Sequence, residues 1–182
     1  MIYDISLKTA GLSVGVLLLI SHAAGLLNVT TAIALAKKFP RSRVAATILI
    51  TIAGIWSFLL VQDMDLGEFS RLRQLILIGI AAGSVLSWAF VEEFLAVRAL
   101  GMLLLLAAEP LLGSAILRDE PSRLILVILA YGWVVAGLFF VGMPYLLRDA
   151  VGFLSATHTR WRMACAGGVV YGLALLVCAF FW

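Results

Sequence analysis

Charge is what this sequence has least of. Only 13% of its 182 residues are Asp, Glu, Lys or Arg, about half the share in an ordinary soluble domain. Hydrophobic residues make up 64% and the mean hydropathy is +1.13. A soluble fold of this length leaves too large a share of its surface in water to hide so much apolar material. The soluble globular, disordered and disulfide-scaffold classes are therefore excluded, and lipid is the solvent.

Cysteine and histidine are equally scarce, with two of each. Cys165 and Cys178 share the last apolar run. Thirteen residues on one helix means about 20 Å of rise and roughly opposite faces, so the two thiols cannot bond to each other. No metal-ligand cluster, phosphate loop or pair of facing histidines is visible. The formal net charge of +3 comes from cations at loop positions, where they orient a membrane chain. It is not a nucleic-acid signal, and no nucleic-acid partner is expected.

What is present is a series of long apolar runs. At about 20 residues per spanning helix the chain has room for six helices and no separate soluble domain. The expected fold is an all-α polytopic membrane bundle, a single transmembrane domain over 1–182. Its spans fall near 9–27, 44–62, 74–91, 97–117, 123–145 and 163–181. Ser21-His22-Ala23 resembles a signal-peptide cleavage site, but Lys8 is opposed by Asp4, so the first run is expected to stay as a helix. The stretch from Asn28 to Phe39 reads as a tilted extension or an interfacial turn ending at Pro40. Leu147, Val151 and Leu154 predict a short interfacial helix. Pro144 is expected to kink or end the fifth span.

Orientation follows from the cations. Lys37, Lys38, Arg41, Arg43, Arg98, Arg148, Arg160 and Arg162 fall on one side, against Lys8, Arg71, Arg73, Arg118 and Arg123 on the other. Eight against five assigns the first group to the cytoplasm and puts both termini outside, in a bacterial inner membrane. Glu92 and Glu93 face Arg98 across a tight turn, where solvated or locally paired charges are the default. Pro40-Arg41-Ser42-Arg43 and Pro121-Ser122-Arg123 form a faint echo of the kind inverted-repeat transporters carry; chance suffices to explain it.

Small residues recur at four-residue spacing in three spans: Gly11 and Gly15; Gly79, Gly83 and Ser87; Ala164, Gly168 and Gly172. Without a hydrophobic effect between helices in lipid, close backbone approach over such stripes supplies cohesion. Packing within the bundle accounts for some of them. With three stripes on six helices, at least one is expected to serve contacts between chains.

Ionisable groups at membrane depth are the best pointers to function, since each costs about 2.5–3.5 kcal/mol at the bilayer centre on insertion scales. Glu109 is the outstanding one, followed by Pro110, which frees the carbonyl of Leu106. Carboxylate and free oxygen together suit a proton or a small cation. The structural alternative is a protonated Glu109 hydrogen-bonded within the bundle. His22 lies on the face of Gly11 and Gly15 and could ligate haem, contact a quinone or relay a proton. Its structural alternative is a packed imidazole hydrogen-bonded across helices. Gly11-Leu12-Ser13-Val14-Gly15 matches the nucleophile-elbow pattern, but that motif needs a strand-turn-helix context, which a spanning helix does not provide. Asp63-Met64-Asp65-Leu66-Gly67-Glu68 lacks the length and ligand positions of a calcium loop and reads as a solvated acidic turn.

Three functions remain open. The chain is a non-catalytic integral subunit or assembly factor of a membrane complex; or a small proton- or cation-linked transporter or channel acting as a homo-oligomer through Glu109; or a redox protein using His22. Its partners are then the lipid bilayer and either other membrane subunits or copies of itself. The identity of any cofactor is not legible.

Overall fold

The computed structural model describes residues 3, 5–91 and 93–182. Eight helices are found among them: α1 (Leu7–Leu27), α2 (Val29–Lys38), α3 (Arg43–Asp63), α4 (Arg73–Phe90), α5 (Leu95–Ala115), α6 (Arg123–Gly142), α7 (Tyr145–Leu154) and α8 (His158–Phe181). Six are long and apolar enough to cross a membrane, the third of these being α4 with the short 3₁₀ turn before it. The chain is an all-α integral membrane bundle. The 21 residues of α5 give about 31 Å of helix, matching a hydrocarbon core of about 30 Å.

Local chemistry sets the boundaries. Ser6, Ser42 and Thr157 cap α1, α3 and α8, each side-chain oxygen accepting from the backbone N–H three residues on. The stretch after the first span is a separate ten-residue helix, α2, closed by a 3₁₀ turn containing Pro40. Both lysines of its last turn suit the negative end of the helix dipole. Pro144 ends α6 rather than bending it: α6 stops at Gly142 and α7 starts at Tyr145. Trp161, next to the interfacial stretch in sequence, belongs to α8, and its indole N–H donates to Gly25 O at 3.2 Å.

Packing runs as a row α4–α3–α5–α6, with the antiparallel pair α1/α8 set against α5 and α6. The main core lies toward the two termini, where Leu7, Ala10 and Val14 meet Leu111, Ala115, Leu126, Ala130 and Leu175. Tyr171 ties α8 to α6 by donating to Ile125 O at 2.7 Å, and Trp182 donates to Ser122 Oγ at 2.7 Å. Ala46, Leu95 and Ala96 form a second cluster toward α2 and α7. The dominant pairing of first and last spans means the chain does not divide into two self-contained three-helix halves.

The Pro-Ser-Arg echo likewise carries different contacts at its two sites. Ser42 Oγ caps α3, whereas Ser122 Oγ receives Trp182. Arg43 lies over the Trp88 ring, whereas Arg123 donates to Ala115 O at 2.8 Å.

Three arginines at helix starts hold the open carbonyl ends of their neighbours. Arg73 of α4 donates to Gln62 O and Met64 O, both at 2.8 Å, at the end of α3. Arg123 of α6 closes the end of α5 through Ala115 O. Arg98, near the start of α5, closes the end of α6 through Val141 O at 2.8 Å. The last carbonyls of a helix have no partner of their own, and a cation there also meets the favourable end of the dipole. One N–H of the Arg98 guanidinium thus goes to a backbone oxygen, and no ion pair with Glu93 is found among the described residues. Glu92 lies outside the described residues.

Candidate functional site

The α1/α8 seam uses two of the three small-residue stripes on each other. A Cβ on Gly15 would stand 3.1 Å from Gly172 O, and one on Gly172 3.0 Å from Gly15 O, so the two backbones touch. The ring of Trp182 covers Gly11, and the His22 ring lies on Gly168. Ala164 is exposed along the same helix.

The seam also decides what His22 can do. Its Nδ1 donates to Leu18 O at 2.9 Å, one turn back on its own helix, with Ser21 Oγ at 3.2 Å. The hydrogen bond across helices expected of a packed histidine is replaced by this intrahelical one. The carbonyl of residue i−4 lies within reach of the ring, and Gly168 brings α8 too close to offer a donor there. With Nδ1 protonated, Nε2 carries the lone pair. His22 borders a groove of about 570 Å³ together with Asn28, Thr31, Trp161 and Cys165. His158 opens α8, ten residues or about 15 Å from Gly168, so no second histidine faces His22.

The third stripe is left open. No residue of α4 is buried, and a Cβ on Gly79 or Gly83 would meet nothing within 4 Å. Gly79, Gly83 and Ser87 form one wall of a cleft whose floor is Ala53, Gly54 and Ser57 of α3 and whose far wall is Met102 of α5. Its small side chains present few projections to a helix approaching from the membrane.

Glu109 stands two turns beyond Met102 on that face of α5, about 10 Å further along. Its side chain is exposed, while Ala108, Pro110 and Leu111 turn inward and are buried. The hydrogen bond within the bundle proposed for a structural carboxylate is not made among the described residues. The inward arc of α5 is taken by small and apolar groups that meet α1 and α6, leaving Glu109 the outward one. It lies about 6 Å from the middle of a helix as long as the hydrocarbon core is thick. α5 continues through Pro110 to Ala115. Proline has no N–H, so the carbonyl of Leu106, one turn before it, lacks its usual helical donor beside Glu109. The structure does not bring Glu109 and His22 together, since they lie on different helices and face different neighbours.

Other motifs resolve locally. Ser13 Oγ donates to Thr9 O at 2.8 Å inside α1, so the nucleophile-elbow pattern is continuous helix. Asp65 Oδ1 accepts from Gly67 N at 2.9 Å and shapes the turn before α4. Cys165 and Cys178 are free thiols.

Sequence reading missed the closest backbone-to-backbone approach at a glycine. A Cβ on Gly101 would stand 2.8 Å from Gly137 O, and one on Gly137 2.8 Å from Gly101 O. Each glycine is alone at its spacing, so no stripe marks it. The chain matches no family model, no curated protein and no solved structure.

Proposed function

We propose that this chain is a non-catalytic integral subunit or assembly factor of a larger membrane complex. The observation that carries the reading is Glu109, a carboxylate at hydrocarbon depth on the outside of its own bundle. A polar group in that position is stabilised by protein cover or by an aqueous path. The open cleft along Gly79, Gly83 and Ser87, on the same side, offers room for a neighbouring helix. The excess of cations on one side supports a reading with both termini outside the cytoplasm, as part of the proposal that the membrane is a bacterial inner membrane. Native mass spectrometry after mild detergent extraction from the source membrane tests the reading. Other polypeptides in fixed stoichiometry are expected, and a chain that leaves the membrane without foreign subunits overturns it.

The Leu106 carbonyl favours a second reading, in which copies of this chain assemble around Glu109 and pass protons or a small cation. Glu109 and that oxygen would then line the path between protomers. Its test is transport in proteoliposomes, where Glu109→Gln should abolish the flux; an unchanged flux removes the site. The redox reading through His22 rests on Nε2 alone, which makes no hydrogen bond among the described residues and lies against Gly168. A visible absorption band in the purified protein would support haem.

A further inference from the structure

On the other side of α4 from the small-residue cleft, α3 and α4 enclose a groove of about 580 Å³. Its walls are apolar, with Ile55 and Phe58 on α3 and Ala81 and Val85 on α4. Two of the three hydroxyls that line it are engaged within their own helices, Ser84 Oγ donating to Ile80 O at 2.8 Å and Thr47 Oγ1 to Arg43 O at 2.9 Å, which leaves the Thr51 hydroxyl among apolar neighbours. The interior therefore suits a hydrocarbon chain. From Thr47 to Leu59 the groove follows twelve residues of α3, about 18 Å, close to the depth of one leaflet of a core about 30 Å thick.

One end is chemically different. Trp88 Nε1 donates to Thr47 Oγ1 at 3.0 Å, which fixes the indole across the mouth. The guanidinium of Arg43 lies over that ring at 5.7 Å from its centroid. A cation is thus held at the point where the groove reaches the membrane interface, the level at which tryptophan and arginine commonly sit. Lys37, Lys38 and Arg41 are exposed in the segment just before it. At the far end the groove runs out between Phe58 and Leu59.

We infer that this groove is a binding site for an anionic phospholipid, with an acyl chain between α3 and α4 and the headgroup phosphate on Arg43. An uncharged or zwitterionic lipid fills the apolar length equally well, and a zwitterionic one brings the same phosphate. Its ammonium cancels the headgroup's net charge, however, so the preference rests on the attraction of Arg43 for a net negative headgroup. Arginine forms paired hydrogen bonds to phosphate oxygens while its face remains stacked on the indole.

The test uses the whole chain in phosphatidylcholine vesicles doped with brominated phosphatidylglycerol or, at the same fraction, brominated phosphatidylcholine. The Trp88 signal is the fluorescence of the unaltered protein less that of Trp88→Phe. It should be quenched by the anionic lipid with about fivefold higher apparent affinity, the contribution of one basic residue beside an anionic headgroup. Arg43→Gln, at an exposed position, should bring the two lipids to parity. Lys37→Gln/Lys38→Gln should leave the preference in place. Parity in the unaltered protein overturns the site. So does an equal loss in the lysine variant, which would make the preference a diffuse effect of the basic surface. If Arg43→Gln fails to fold, native mass spectrometry of the unaltered protein from an equimolar lipid mixture decides. One retained phosphatidylglycerol per chain supports the site, and no excess over phosphatidylcholine overturns it.

Discussion

Replacing Gly137 by alanine should weaken the bundle, whereas the same change at Gly79 should not. At Gly137 the new Cβ would meet two atoms at 2.8 Å, Gly101 O and Leu105 Cγ. The oxygen belongs to a helix backbone and cannot rotate away. Moving it from 2.8 Å to an ordinary 3.4 Å requires α5 and α6 to part by about 0.6 Å. A gap of that size forfeits about a quarter to a half of each dispersion contact along the seam. Overpacking of this kind costs about 1–3 kcal/mol, against which alanine returns up to about 1 kcal/mol of helix propensity. The expected net loss is about 1–2 kcal/mol, roughly a tenfold change in the unfolding equilibrium. At Gly79 and Gly83 nothing lies within 4 Å, so alanine there should be neutral or slightly stabilising for the isolated protein. Reversible unfolding in mixed micelles, titrated with sodium dodecyl sulfate and followed by circular dichroism, reads all three variants. The reasoning fails if Gly137→Ala stays within about 0.5 kcal/mol of the unaltered chain, or if Gly79→Ala costs as much as Gly137→Ala.

Three further outcomes are expected. Gly168→Ala drives a Cβ into the His22 ring and should destabilise by about 1–3 kcal/mol. In a His22→Ala background the same change should be nearly silent, and additivity in that unfolding cycle would disprove the contact. Arg98→Gln and Arg123→Gln each remove a charged donor from a helix-end carbonyl and should cost about 1.5–3 kcal/mol by the same titration. Because the two bonds lie at opposite ends of the α5/α6 pair, their effects should add; a double variant no worse than either single one would contradict this. Glu109→Leu should improve membrane insertion of α5 by about 3 kcal/mol in a translocon assay. It should also deplete co-purifying subunits, and undiminished recovery of those subunits would separate Glu109 from assembly.

The spans were legible in the sequence because lipid sets their length: about 20 apolar residues must cross a core about 30 Å thick. The α1/α8 stripes were legible because small residues four apart fall on one face. Helix rotation was not. α5 is apolar on nearly every side, so no amphipathic pattern tells which face looks inward. Glu109 could therefore be assigned a depth but not a direction, and its outward position rests on which neighbours Ala108, Pro110 and Leu111 meet. The arginine contacts were hidden for a different reason. A cation at a helix start looks the same in sequence whether it only orients the chain or also bonds a carbonyl brought near by packing. Gly101 and Gly137 are 36 residues apart, and each is unremarked until the two helices cross.

The reciprocal bonds of Arg98 and Arg123 also have a mechanical consequence. Each helix of the α5/α6 pair is latched to the far end of the other, and the two glycines sit in the seam between the latches. Sliding one helix past the other by a single turn, about 5.4 Å, would break both latches and carry each glycine out of register. Any working motion of this protein must therefore carry α5 and α6 as one rigid body. Displacement is left to the rim, where α4 buries no side chain and is held to α3 by Arg73 at one end and Trp88 at the other, and to the small helices α2 and α7 at the end of the bundle.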